Sequence, residues 1–176
     1  MRATSITLLL FALLVSIAVA DAPSAENILG AAETKAAAEK KAVFVHFGAS
    51  WCVWCHRLDA YLDRPDVKPV FEKYFVPVKL DMGEKGDQKA LENAGADKMA
   101  KDLGGPGFPF WAFLDAKGGL IANSNAKGPG SNVGYPGAPA EIEWFAKTIK
   151  QAAPKISEAE LQTLVTPLKT PPPVKG

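Results

Sequence analysis

Both cysteines of this chain stand together, in Trp51-Cys-Val-Trp-Cys-His56, just after the run Ala42-Val-Phe-Val-His-Phe47 and Gly48. That run is apolar, β-branched and aromatic, and it ends on glycine, which predicts a buried strand. Beyond it, Cys55, Leu58 and Leu62 recur at helical spacing until Asp63-Arg-Pro65 breaks the pattern, which predicts a helix over Cys52–Asp63. The cysteine pair therefore lies where a strand passes through a short loop into a helix. A disulfide between residues this close constrains the unfolded chain little, because loop-closure entropy grows with loop length. The pair is a poor staple and is better suited to chemistry.

The rest of the chain alternates strand and helix signals. Ser24 is a candidate N-cap for an Ala-, Glu- and Lys-rich helix running to Lys41, and Val67–Tyr74 forms a further short helix. Phe75–Asp81 reads as a second strand, which Pro77 assigns to an edge or a strand start. Gly83–Asp87 is a polar loop, and Gln88–Leu103 is a helix weakened by Gly95. Gly104-Gly-Pro-Gly107 breaks the chain before the apolar strand Phe108–Leu114. Asp115–Gly119 then turns into a return strand, Leu120–Asn123. Asn125–Pro139 is a loop open to motion. Ala140–Ala153 is a helix whose apolar stripe is Ile142, Phe145 and Ile149. Strands alternating with helices imply parallel pairing early, and the closing hairpin implies antiparallel pairing late. The expected fold class is α/β: a mixed sheet of four to five strands with helices on both faces.

The two ends read differently. Met1-Arg2, the apolar run Ile6–Val19 and the small-x-small end Ala18-Val-Ala20 have the three parts of a secretory signal peptide, so residues 1–20 are expected to be removed. The run falls short of the roughly 20 residues a spanning helix needs, and a retained membrane anchor is the alternative. The mature domain, residues 21–153, is then expected outside the cytosol, periplasmic or secreted, where disulfides persist, with no stable membrane insertion. Residues 154–176 read as a Pro-rich tail, mostly disordered apart from a short helix over Ser157–Val165 and dispensable for dithiol chemistry. Of 20 Lys and Arg against 19 Asp and Glu, only Arg2 falls in the leader, so the remainder is formally neutral and has no charge-driven affinity for nucleic acid.

Cys-x-x-Cys is the spacing of a redox dithiol, and Cys-x-x-Cys-His is also that of covalent haem attachment. A cysteine at a helix N-terminus has its thiolate stabilised by free N–H groups and the helix dipole. Cys52 is thus the expected nucleophile toward a partner disulfide, and Cys55 the resolving thiol. In the haem reading Cys52 and Cys55 form thioethers, His56 ligates iron and Met82 or Met99 supplies the distal ligand. A zinc site would need Cys52, Cys55, His56 and His46, and a binding or chaperone module without turnover remains a third alternative.

At these residues the chain resembles the thioredoxin superfamily. Val43–Cys52 resembles that family's strand running into its Trp-Cys-x-x-Cys site, Val78-Lys-Leu-Asp81 its next strand, and Gly107-Phe-Pro-Phe-Trp-Ala-Phe-Leu-Asp115 the segment bearing its cis-proline. The resemblance spans roughly residues 25–153. It implies a thioredoxin-like three-layer sandwich and an exported thiol–disulfide oxidoreductase, a monomer without cofactor or metal. Its partners would be protein thiols and disulfides and a redox partner protein. It implies a cis Pro109 facing the dithiol, with Phe108 offering backbone hydrogen bonds to a bound peptide; otherwise Pro109 merely starts a strand. Trp51 and Trp54 would form an apolar rim. The family carries a buried acid six positions before the first cysteine, and here that position is His46, with Lys79 matching a nearby lysine. A neutral His46 could relay a proton from Cys55, or could simply be a packed strand residue. His56 either raises the positive potential at the thiols or is a surface residue beside them.

Overall fold

The computed structural model describes residues 22–105 and 107–173, and the expected signal segment lies outside them. In chain order the elements are α1 (Ala25–Glu39), β1 (Ala42–Gly48), α2 (Val53–Leu62), α3 (Lys68–Tyr74), β2 (Phe75–Asp81), a 3-10 turn (Gly86–Leu91) and α4 (Ala96–Asp102). There follow β3 (Phe110–Leu114), β4 (Leu120–Asn123), α5 (Pro139–Ala152), α6 (Glu158–Val165) and a second 3-10 turn (Thr166–Lys169). The strands form one sheet in the order β2-β1-β3-β4. β1 pairs parallel with β2 and antiparallel with β3, and β3 pairs antiparallel with β4. Pro77 lies on the edge strand β2, where its missing N–H removes no bond from the sheet interior.

Every residue of β1 and of β3 is buried, because helices cover both faces of the sheet. Side chains alternate across a strand. Phe44, Trp111 and Phe113 therefore pack with Leu58 and Tyr61 of α2, Phe71 of α3 and Phe145 of α5. Val43, Val45, Phe47 and Ala112 pack on the other side against the small residues Ala32 and Ala36 of α1 and Ala96 and Ala100 of α4. Ser24 caps α1, its Oγ accepting the Asn27 N–H at 3.3 Å.

Two expectations need correction. The single helix expected over Gln88–Leu103 is broken into a 3-10 turn and the short α4. Gly95 takes φ +87°, and Asn93 accepts the Asp81 N–H at 2.8 Å while donating to the Pro23 carbonyl at 2.9 Å. Those tertiary bonds outcompete a continuous helix. The domain also runs on past Ala153. A Ser157–Glu160 capping box starts α6, and Leu161, Leu164, Val165 and Leu168 are buried in the same core as Phe44. Tyr61 of α2 donates its hydroxyl to the Leu164 carbonyl at 2.7 Å. The prolines of this segment mask an apolar stripe at helical spacing that must be covered.

Candidate active site

The α2 N-terminus holds the dithiol. Cys52 is its N-cap, and the Cys52 Sγ accepts the Cys55 N–H at 3.1 Å. The two sulfurs are bonded, with their Cα atoms 5.2 Å apart. Free N–H groups at this helix end favour negative charge on the sulfur that caps it. Cys55 lies inward, against the end of β1. A Cβ on Gly48 would stand 3.2 Å from the Cys55 Cβ and 3.3 Å from its Sγ, so only glycine lets the strand pass this close without displacement.

The loop delivering Cys52 is clamped at Ser50. Its N–H and its hydroxyl each donate to the Glu84 carboxylate at 2.6 Å. The Ser50 carbonyl accepts from His56 Nε2 at 2.6 Å, which assigns the Nε2–H tautomer. Trp51 donates its indole N–H to the Gly83 carbonyl at 2.9 Å. His56 therefore acts as a brace for the loop. Glu84 went unrecognised in the sequence because it sits in a polar Gly-flanked loop, yet its side chain is buried beneath Ser50. Gly83 also permits a close approach: a Cβ there would meet the Phe108 ring at 2.7 Å.

Beside the dithiol is a groove of about 440 Å³, lined by Trp54, Phe108, Pro109, Tyr135 and Pro171 among others. The Phe108–Pro109 peptide bond is cis. The Asn125–Pro139 loop is not slack. Asn132 donates to the Pro109 carbonyl at 2.9 Å, and the Trp111 indole donates to the Gly134 carbonyl at 2.8 Å. Gly134, at φ +59°, packs on Pro109. Trp51 meets Phe108 edge-on at 5.3 Å and Trp54 lies 5.9 Å from Tyr135, so the two exposed tryptophans continue the groove into a rim around the dithiol.

Under α2 is a second cluster. His46, Gly48 and Phe44 share one face of β1, and Asp59 stands one helical turn beyond Cys55. The His46 Nε2 is 3.2 Å from the Asp59 carboxylate, whose other oxygen accepts from Lys79 Nζ at 3.0 Å. Neither ring nitrogen of His46 makes a well-formed hydrogen bond, although both are buried. Burial pushes the His46 pKa down to about 4. Asp59 pulls against that shift and Lys79 adds to it, so the ring is neutral near pH 7. Lys79 is pushed down by burial, but its bond and attraction to Asp59, with help from Asp81, leave its pKa raised. These groups border a cleft of about 330 Å³ open to solvent. The resemblance led one to expect an acid at the strand position; this chain places the carboxylate on the helix instead. The i, i+4 spacing sets Asp59 on the Cys55 side of α2, but nothing in the sequence pairs it with His46.

The structure thus brings Cys52, Cys55, Trp51, Trp54, Phe108 and Pro109 together, with His46 and Lys79 below and His56 at the loop. The four residues of the zinc reading do not converge: His56 spends Nε2 on Ser50, and His46 faces Asp59. Among the described residues no group of three or more His, Cys, Asp or Glu is arranged to hold a metal. Met82 and Met99, the distal ligands of the haem reading, pack into the core on the α1 side of the sheet.

The described residues include no helix long and apolar enough to cross a membrane. No curated protein matches the chain. Among solved structures, the DsbH oxidoreductase is 20% identical with a TM-score of 0.52, covering 83% of this chain and 95% of that one. A disulphide isomerase from Xylella fastidiosa Temecula1 is 18% identical with a TM-score of 0.49, covering 86% and 96%. The DsbD C-terminal domain of Neisseria meningitidis in its oxidised form is 22% identical with a TM-score of 0.45, covering 73% and 99%. The DsbH likeness shows the fold: α/β and thioredoxin-like, a four-stranded mixed sheet with helices packed on it. The thioredoxin-like family model matches residues 25–116, just over half of the chain, taking in β1, the dithiol helix and the Gly-Phe-Pro strand. The chain belongs to the thioredoxin-like family.

Proposed function

We propose that this protein is an exported thiol–disulfide oxidoreductase acting on protein thiols and disulfides. One observation carries the reading: a Cys-x-x-Cys pair caps α2 at the mouth of an apolar groove whose wall is the Phe108–Pro109 loop. In the reducing direction the Cys52 thiolate attacks a substrate disulfide and forms a mixed disulfide, releasing one substrate thiolate. Cys55 then loses its proton and attacks the Cys52 sulfur, so that the intramolecular disulfide forms and the second substrate thiolate leaves. Two electrons pass to the substrate, and a redox partner protein must resupply them. The oxidising direction is the reverse. Export rests on the leader-like residues 1–20.

His46 and Asp59 serve the second step in this reading. A ring with both nitrogens unspent accepts the Cys55 proton. Its depressed pKa means that it passes the proton on toward Asp59 and the open cleft instead of storing it.

Trapping tests the assignment. Cys55→Ser should accumulate a mixed disulfide with a cystine substrate, visible by mass, whereas Cys52→Ser should not. Trapping through Cys55 instead, or no exchange with dithiothreitol or insulin in the wild-type protein, overturns it. Equilibration with glutathione then gives the direction of flow: a potential near about −270 mV marks a reductant and one near about −120 mV an oxidant.

A further inference from the structure

Two cations stand over the tryptophans that bracket Cys52 in the chain. The Arg57 guanidinium lies 4.3 Å from the centre of the Trp54 ring, and Lys85 Nζ lies 4.6 Å from that of Trp51. Both rings are about half exposed, Trp51 at 46% and Trp54 at 49%, so each cation is held at the rim where a bound peptide must pass. Neither cation has a carboxylate within ion-pair distance among the described residues, and the Arg57 Nε is buried with no acceptor.

Carboxylates close by are already committed elsewhere. Asp59 binds Lys79, and Glu84 binds Ser50. Glu141, which lines the groove, accepts the Gly137 and Ala138 N–H groups at 3.0 and 2.8 Å as the cap of α5. In a chain whose charge is otherwise balanced, the rim of the dithiol is left locally positive. Stacking also holds both cations in place, which lowers the entropy cost of binding an anion there.

We propose that the site selects protein segments whose reactive cysteine is flanked by Asp or Glu, with Arg57 and Lys85 pairing with those carboxylates beside the Trp51–Trp54 rim. The inference rests on the oxidoreductase reading and names its substrate class. Acidic flanks place charge against the two cations while apolar contacts settle on the tryptophans and Phe108. Basic flanks are repelled.

The test uses the whole purified protein and synthetic peptides of one length, each bearing a single cysteine as a mixed disulfide, with Asp, Asn or Lys on both sides. Exchange is followed by tryptophan fluorescence, and serine-substituted versions of the same peptides measure binding alone. Each exposed pair contributes at most about fivefold, so the Asp peptide should react about 5- to 20-fold faster than the Lys peptide at low salt. That ratio should fall toward one as salt rises. The double variant Arg57→Gln, Lys85→Gln should collapse it, and reading a ratio cancels any effect of the variant on the thiols themselves. Equal rates for the Asp and Lys peptides, or a ratio that survives the double substitution, overturn the proposal. Binding that follows the Asp-over-Lys order without exchange of any peptide would retain the acidic partner and reject the oxidoreductase reading.

Discussion

The outward side of α2 shows Trp54 to solvent with the half-buried Arg57 stacked over it, while the inward side sets Cys55 against Gly48 and Asp59 against His46 of β1. On the outward side, among the described residues, the Arg57 charge has no ion-pair partner and the apolar surface of Trp54 is open. On the inward side Asp59 bridges Lys79 and His46, and burial moves the His46 titration well away from its ordinary range. In the proposed function one helix therefore separates two tasks. Its outward residues would face the partner, and their effects should be electrostatic and salt-sensitive. Its covered residues lie beside Cys55, the sulfur proposed to resolve, and their effects should depend on pH and on folding. The inward side depends in turn on what holds α2 down, and here the C-terminal segment matters most.

The largest effect expected follows from that support. Removing residues 157–176 deletes the buried side chains of Leu161, Leu164, Val165 and Leu168 and the acceptor for Tyr61. At about 1.5–3 kcal/mol per buried side chain the loss approaches the whole stability of a domain, about 5–15 kcal/mol. The truncated chain should lack a cooperative urea transition. A chain ending after Thr170 keeps that core and, among the described residues, gives up the Pro171 part of the groove wall, so it should unfold as the full chain does. If the longer truncation folds with unchanged stability, the inward support is misassigned.

Next in size is a pH effect on the inward side. Burial holds the His46 pKa near about 4 in the folded protein, against about 6.5 in the unfolded chain. Between those values the unfolded state binds a proton that the folded state refuses. The stability associated with neutral His46 is therefore complete above pH 6.5, falls as pH drops through the window, and levels off below about 4. The full difference is on the order of 3 kcal/mol. Urea unfolding of the wild type and of His46→Gln across pH 4 to 7 should show the wild type losing more stability than the variant. Parallel curves would place the ring's titration at its ordinary value and dissolve the contrast between the two sides of α2.

What the sequence made legible follows the same division. The strands and the helix start at Cys52 came from local patterns: alternation, breakers and the Cys-x-x-Cys spacing. The groove residues Phe108 and Pro109 and the Trp rim came with the resemblance to the thioredoxin superfamily. Glu84, Asn132 and Asp59 did not. Each acts on a residue distant in the chain, Ser50, Pro109 and His46, and no local pattern encodes a pairing made only on folding. The helix over Ser157–Val165 was legible, but its place in the core was not, for a related reason. Composition favoured a tail outside the domain, while four residues at helical spacing found a core to cover. His56 was chemically conspicuous beside Cys55, yet its imidazole points back to a backbone carbonyl.

The smallest effect, and the one most specific to the inward side, concerns Asp59. In the proposed mechanism Cys55 gives up its proton to His46, and the ring becomes an imidazolium 3.2 Å from the Asp59 carboxylate, with Lys79 on the carboxylate's other oxygen. Asp59→Asn keeps the side-chain shape and an acceptor for Lys79 but removes the negative charge. The imidazolium would then form with no carboxylate beside it and with a Lys79 ammonium that keeps only Asp81 as counter-ion, at 3.5 Å, and transfer becomes less favourable. Resolution of the mixed disulfide, measured by single-turnover kinetics, should slow by about tenfold near pH 7, at the lower end of what a positioned proton acceptor contributes. The deficit should close at alkaline pH, where Cys55 ionises without help. A purely structural role for Asp59 would slow the step equally at every pH, so a pH-independent deficit would remove Asp59 from the proton path. Salt should leave the deficit nearly unchanged, because this carboxylate is half-covered beneath α2, whereas the peptide preference at the Arg57 and Lys85 rim should fade.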